Sequence, residues 1–401
     1  MKLYRPVGAA VVWFLLSACA DSGAPIPSVS VRDSAGIRIV ENSFDVLANA
    51  PEWSLSPTPA LKLGALEGED PEIFHQVSGA VLLYDLVWVL DRGSSELRAF
   101  RLDGSHAMTT GREGEGPGEF FMPVLLMVVE PDTLVVWDQR NHRVSYFGPA
   151  GAFLRSSLIR ADLSSPTFLS ALDDGSYLFS GFRAVLPATD EIEVTPLSVI
   201  RHEPDVHSTD TVGVFPHLRL KKVNRPVDFP PVTFSPLTQV DGERRTFWVG
   251  TGEARELEQR DRDGQIVQLV RWKGLGREVR PEHVTAALEK RMARAQTERE
   301  RELVRKTFEQ VPVASEFPSL SDLVVDRLGR IWVQEYPDPT DDGPYKWIIF
   351  GEDGQVVATI RLPRDLRPRE FGEDYVLGVI RGDFDEEYVF LFEIEKSDAL
   401  N

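Results

Sequence analysis

One cysteine stands in 401 residues, at position 19. A lone thiol forms no intrachain disulfide and supplies neither a zinc site of paired cysteines nor a C-x-x-C redox pair. A fold of this length must therefore hold through its core. Histidine is almost as scarce. The seven are His75, His106, His142, His202, His207, His217 and His283, and none stands in an H-E-x-x-H spacing or beside a nucleophile motif. His202 and His207 flank Glu203 and Asp205 in RHEPDVHSTD. That stretch has metal-binding residue types, but Pro204 and Asp205 make it read as a polar hairpin turn. Positive charge is short too: 44 Lys and Arg against 63 Asp and Glu leave a formal charge of −19. Such a surface repels nucleic acid and anionic headgroups and favours cationic partners or divalent ions. The apolar run over residues 7–16 falls short of the roughly 20 residues that span a bilayer. Preceded by Lys2 and Arg5, it has the proportions of a secretory signal.

The residues after that run, Leu16-Ser17-Ala18-Cys19, resemble the bacterial lipobox, in which small residues precede a cysteine that is lipidated and becomes the mature N-terminus. The resemblance implies a lipoprotein signal peptide over residues 1–18 and an acyl anchor, palmitate among its chains, at Cys19. The competing reading is an ordinary signal peptide with a chance cysteine. Residues 19–35 then form a tether, small and proline-bearing at Pro25 and Pro27. Position +2 is Ala20, not the aspartate associated with inner-membrane retention, which leans towards the outer membrane of a bacterial cell envelope.

Repeats organise the remainder. LRAFRLDGSH (97–106), VSYFGPAGAF (144–153), LEQRDRDGQI (257–266) and WIIFGEDGQV (347–356) each read as two strands around a turn. Phe100, Phe147 and Phe350 stand four residues before Gly104, Gly151 and Gly354, and Arg260 takes that place before Gly264. Glycine there supplies the positive φ that a tight hairpin needs. A short β-branched and aromatic strand recurs as LVWVLD (86–91), TLVVWD (133–138), SYLFSG (176–181), TFWVGT (246–251), RIWVQE (330–335) and EYVFLF (387–392). The first intervals match the roughly 40–50 residues of a four-stranded propeller blade. Read this way, the chain is all-β, a six-bladed β-propeller over residues 36–396 with a short tail at 397–401. In VVWDQRNHRVSYFGPAGAF it resembles the NHL-repeat-like six-bladed propellers. The early strand GIRIVEN (36–42) stands alone, and an N-terminal strand completing the last blade would close the ring and remove open edges.

Two stretches depart from the repeat. GREGEGPGEF (111–120) is glycine-rich, yet it lacks the Gly-Lys-Ser/Thr of a phosphate loop and opens no helix. Glu113, Glu115 and Glu119 oppose a phosphate, so the stretch reads as a turn at a blade junction. Residues 281–310 start with Pro281 and contain no further proline or glycine, and Val284, Leu288, Met292 and Ala295 mark one face. They read as a helical insertion packed on the propeller or capping a face, or else as a lid or docking arm.

The inner strands read as QVSGAVL (76–82), PVLLMVV (123–129), TFLSALD (167–173), PLTQVDG (236–242), SLSDLVVD (319–326) and YVLGVIR (375–381). Their candidate channel-lining groups are Ser78, Ser170, Thr238 and Asp322. A hard cation wants about six oxygen ligands, so this is a poor metal cage; Asp91 and Asp138 end second strands and read as turn caps. No metal or cofactor is expected, although calcium fits the alternative of a calcium-dependent lactonase or esterase. The favoured function is a binding or interaction module with a protein or small-molecule partner, held at the membrane through Cys19 and without nucleic acid. No catalytic residue can be assigned.

Overall fold

The computed structural model describes residues 29–68, 70–129, 131–159, 163–182, 187, 191–204, 208–223, 229–274, 276 and 278–397. Residues 1–28, with the signal sequence and Cys19, lie outside them, as does His207. The chain is mostly β. Its strands form four-stranded antiparallel units, lettered here in chain order: A (77–110), B (123–158), C (164–221), D (239–272) and E (322–362). Unit F takes Arg367–Phe371, Tyr375–Arg381 and Glu387–Glu395 from the C-terminus and Leu61–Leu63 from near the N-terminus.

The second strand of each unit is its most buried. Trp88, Trp137, Trp248 and Trp332 lie on these strands and are fully enclosed. The core runs between units, because each sheet has two apolar faces and covers both with its neighbours. Val81, Leu90 and Phe120 pack with Leu126, Leu134 and Phe147 between A and B. Val135 and Trp137 meet Phe168, Tyr177 and Phe179 between B and C. Leu169, Leu178 and Val199 meet Phe247 and Val249 between C and D. Trp248, Leu257 and Val270 meet Leu323, Ile331 and Val333 between D and E. Trp332, Trp347 and Ile360 meet Phe371 and Val376 between E and F. Leu377, Val379 and Val389 of F then meet Ala80, Val87 and Val89 of A. The series returns to its start, a propeller-like arrangement.

The hairpin glycines do what the repeat requires. Gly104, Gly151, Gly264 and Gly354 all have positive φ, and each donates its N–H to the carbonyl three residues back.

The N-terminal segment is used differently from the sequence reading. The strand that completes the last unit is Leu61–Leu63, paired with Val389–Leu391. GIRIVEN does not stand alone: Ile37–Asn42 pairs with Val29–Ser34 on one side and runs parallel to Ile266–Trp272 of unit D on the other. Sheet structure thus includes Val29–Ser34, inside the segment read as tether. Glu52–Leu55 lies between E and F, bonding to Thr359 and Ile360 on one side and to Ile394 and Glu395 on the other. In unit F the reading was one strand out of step. YVLGVIR is the second strand and EYVFLF the third; the inner strand is Arg367–Phe371. A C-terminus that supplies three strands, with the fourth borrowed from residues 61–63, breaks the four-strand count on which the alignment relied.

Residues 281–310 fold as two helices, Pro281–Ala293 and Glu298–Gln310. The second carries a capping box, with Thr297 Oγ1 accepting the Glu300 N–H and the Glu300 carboxylate accepting the Thr297 N–H. The pair docks through His283 against Phe317, which in turn stacks on Tyr336 and meets Phe234 edge-on.

Candidate functional site

A cavity of about 650 Å³ lies where the inner strands converge. Every unit contributes: Val81 from A, Leu125–Val129 from B, Ser170 and Ala171 from C, Asp241 and Gly242 from D, Val324 and Val325 from E, Arg369–Phe371 from F. Its rim is made by the turns after the inner strands, with Glu243, Arg244 and Arg245 from D and Asp326, Arg327 and Leu328 from E.

The lining is asymmetric. Units A and B supply an apolar wall. Unit D supplies acids in poor solvation: burial pushes the Asp241 carboxyl up to about 7, with Asp322 and Glu243 adding to it. Its oxygens accept N–H groups from Val325 at 2.7 Å and Gly242 at 2.9 Å, which hold the ionised form only partly. Glu243 is also pushed up to about 7 by burial and by Glu352 and Asp326, with Trp248 pulling the other way. Across the E–F junction, Arg327 meets Glu370 and donates to the Leu82 carbonyl at 2.6 Å. Glu370 also accepts the Leu82 N–H at 2.7 Å and the Tyr375 hydroxyl at 3.0 Å. Burial raises the Glu370 carboxyl while these donors pull the other way; a carboxylate with this many donors is the form the pocket is built around.

Arg369 is the exception in this network. It is the extra residue of a β-bulge, between the pairs Pro368–Gly378 and Glu370–Leu377, and bulges re-aim side chains. Its guanidinium makes one hydrogen bond, to the Val77 carbonyl at 3.0 Å. The side chain is solvent-exposed and borders the cavity.

Of the residues singled out from sequence, Ser170 borders the cavity, its hydroxyl donating to the Glu243 carbonyl at 2.7 Å. Ser78 instead ties A to B, donating to Pro123 O at 2.9 Å. Thr238 is buried and bonds to the Pro216 carbonyl. Asp322 accepts its own neighbour's N–H, from Leu323 at 2.9 Å, with its pKa raised by burial. The groups missed were Asp241, Glu243, Asp326, Arg327, Arg369 and Glu370. Asp241 and Asp326 stood inside the quoted strands PLTQVDG and SLSDLVVD but were not singled out among their polar residues. Arg369 and Glu370 were lost with the misassigned inner strand.

The glycine-rich stretch is a turn closed on itself. Glu119 takes the Gly116 N–H at 2.8 Å and the Arg112 Nε at 2.8 Å, filling the place an anion would need. Hydrogen bonding from Gly116 and Arg112 holds this carboxyl below its usual range. Asp91 and Asp138 cap junctions in the same manner: Asp138 accepts N–H groups from Phe121, Met122, Arg140 and Asn141. His202 is buried and its Nδ1 lies 3.1 Å from Thr209 Oγ1. Among the described residues, no three His, Cys, Asp or Glu side chains gather as a metal-holding group, and no helix is long and apolar enough to cross a membrane.

No family model matches the chain, and no curated protein does. Solved structures similar to it include a candidate exported protein from Bacteroides fragilis, with 14% identity over 90% of this chain and 100% of that one and a TM-score of 0.49. A member of a family of unknown function from Bacteroides vulgatus is 10% identical over 87% and 99%, with a TM-score of 0.48. The calcium-binding protein regucalcin from Agrobacterium tumefaciens is 10% identical over 87% and 97%, with a TM-score of 0.38.

Proposed function

We propose that the chain is a six-bladed β-propeller, tethered to the bacterial envelope by a lipid on Cys19, that binds a small molecule in its central cavity. The supporting observation is the cavity itself: it is bordered by the inner strand of every unit and combines an apolar wall with a few converging charged groups. A molecule held there touches all six blades at once. The lipid tether keeps the site at the membrane.

Ligand screening by thermal shift tests the reading. Compounds that raise the melting temperature of the parent protein should lose that effect in Ala171→Trp, which fills the cavity from blade C. Equal shifts in both proteins would sink it. For the tether, Cys19→Ser should leave unprocessed precursor or free the protein from membranes; a normally processed, membrane-bound product contradicts lipidation.

The calcium-dependent lactonase or esterase reading asks for several convergent oxygen ligands. Asp241, Asp322 and Glu243 are the nearest to such a set, but Asp241 already holds two backbone donors and Asp322 one. Metal-stripped residues 20–401 should therefore melt at the same temperature with and without millimolar calcium. An ion at about 100 times its dissociation constant would add roughly 2.7 kcal/mol, so a clear upward shift would favour the hydrolase.

A further inference from the structure

We propose that the cavity ligand is an amphipathic organic carboxylate, its charged end held by Arg369 and its apolar body laid against the wall formed by Val81, Leu125 and Met127. This rests on the cavity being the binding site and names the chemistry that the site selects.

The argument starts from what each charged group already has. Asp326 is saturated: it accepts the Leu328 N–H, the Arg330 N–H and Nε, and the Trp332 indole N–H. Glu370 is matched by Arg327, Tyr375 and the Leu82 N–H. Arg245 is paired with Asp173 at the rim. Arg369 offers a guanidinium with five N–H donors, and the described residues give it one acceptor, the Val77 carbonyl. Its nearest acid, Glu387, is already engaged by the Val77 N–H and by Arg381, and no ion pair joins it to Arg369 among the described residues. Its remaining N–H donors face the water of the cavity, where an anionic ligand could take them up.

The backbone also goes out of its way to put Arg369 there. The bulge that carries it lies two pairs before the turn, between Glu370–Leu377 and Pro368–Gly378. Blade C has its bulge at the same point of the repeat, between Ser170–Leu178 and Phe168–Phe179, and its extra residue is Leu169, buried in the core between C and D. In unit C the bulge residue is apolar and serves the core. In blade F it carries a guanidinium turned to the cavity instead, and a planar fork of donors is the group that grips a carboxylate in two-point fashion. The opposing acids weaken this little: Asp241 and Glu243 are the carboxyls that burial disfavours as anions. The apolar wall from A and B then sets the other end of the ligand.

The test uses the full chain and two matched probe series, straight-chain carboxylates from butyrate to decanoate and the primary alcohols of the same lengths, titrated by calorimetry. At least one carboxylate should bind tenfold or more tightly than its alcohol. Arg369→Gln should bring that acid down to the level of the alcohol, while Arg369→Lys keeps part of the preference; circular dichroism melts of both variants establish that they fold. Ala171→Trp should abolish binding of either series. Acids and alcohols binding equally, with both lost in Ala171→Trp, would overturn the carboxylate assignment and leave the cavity as a binding site. Binding of neither series at any length would overturn the assignment and count against the cavity as well. A carboxylate preference that survives Arg369→Gln would show that another group holds the anion.

Discussion

Asp138 accepts N–H groups from two residues before the inner strand of unit B and two after its second strand. A single buried carboxylate thereby fixes both ends of a junction, and Asp91 does the same for His75, Gln76 and Gly93 in unit A. Removing it leaves buried donors unmet, each costing about 1–3 kcal/mol. Asp138→Ala should lower unfolding free energy by about 3 kcal/mol in urea titrations, with Asp138→Asn less affected. Asp241 and Glu243 give a different behaviour. Both sit at about 7 in the folded chain, against roughly 4 when unfolded. Between those values the folded state holds protons that the unfolded state has released, so on their account stability falls as pH rises from about 4 to 7 and levels off above. Carboxyls held low, such as Asp174 and Asp342, act in the opposite direction but only below about pH 5. The melting temperature should be higher at pH 5.5 than at pH 8, and the difference should shrink when Asp241→Asn and Glu243→Gln are combined. An unchanged pH slope in that double variant would remove the assignment.

At the scale of elements, close approach explains where side chains are missing. A Cβ on Gly79 would meet Leu126 Cβ and backbone nitrogen, so the inner strands of A and B touch through it. Gly264 combines a φ of +85° with the Val212 carbonyl of unit C against its α-carbon. Gly264→Ala should cost about 2 kcal/mol or more, since backbone strain and collision add; chemical denaturation would show it. The helical pair is set up more locally. Thr297→Ala removes the cap of Glu298–Gln310 and should loosen it by about 1 kcal/mol. Hydrogen exchange should rise over residues 298–310 and stay unchanged in the strands. These elements were legible because their signals are short-range: Phe-x-x-x-Gly for hairpins, Pro281 and an unbroken run for the helices. The inner strand of unit F was not. RPREF carries no alternating apolar pattern, and the partners that meet the buried Glu370 include Arg327, 43 residues away in sequence, and Leu82 of unit A. No local pattern announces that meeting.

For the whole molecule, the ring of inter-unit cores and its closure by an N-terminal strand followed from the repeat, whereas the identity of that strand did not. Leu61–Leu63 is three residues long, alternating buried and exposed, too brief to stand out beside GIRIVEN. Its worth lies in position, since it covers the free edge of Glu387–Glu395. A chain beginning at residue 66 should therefore aggregate or melt well below the parent, and restoring residues 29–65 as a separate peptide should recover part of the difference. The acidic balance, by contrast, was readable directly and places the arginines of the cavity as a local exception on a surface of net charge −19.

The N-terminal strands have one more consequence, which concerns time. Ile37–Asn42 waits for a partner near residue 270, Glu52–Leu55 for partners near 360 and 394, and Leu61–Leu63 for one near 390. A ribosome delivers the first of these strands long before the last of their partners. Units A to C can assemble as they emerge, but the clasp must stay open, with bare strand edges, until the final residues arrive. Completion is a late, long-range step, the kind that makes folding slow and exposes a chain to wrong pairings.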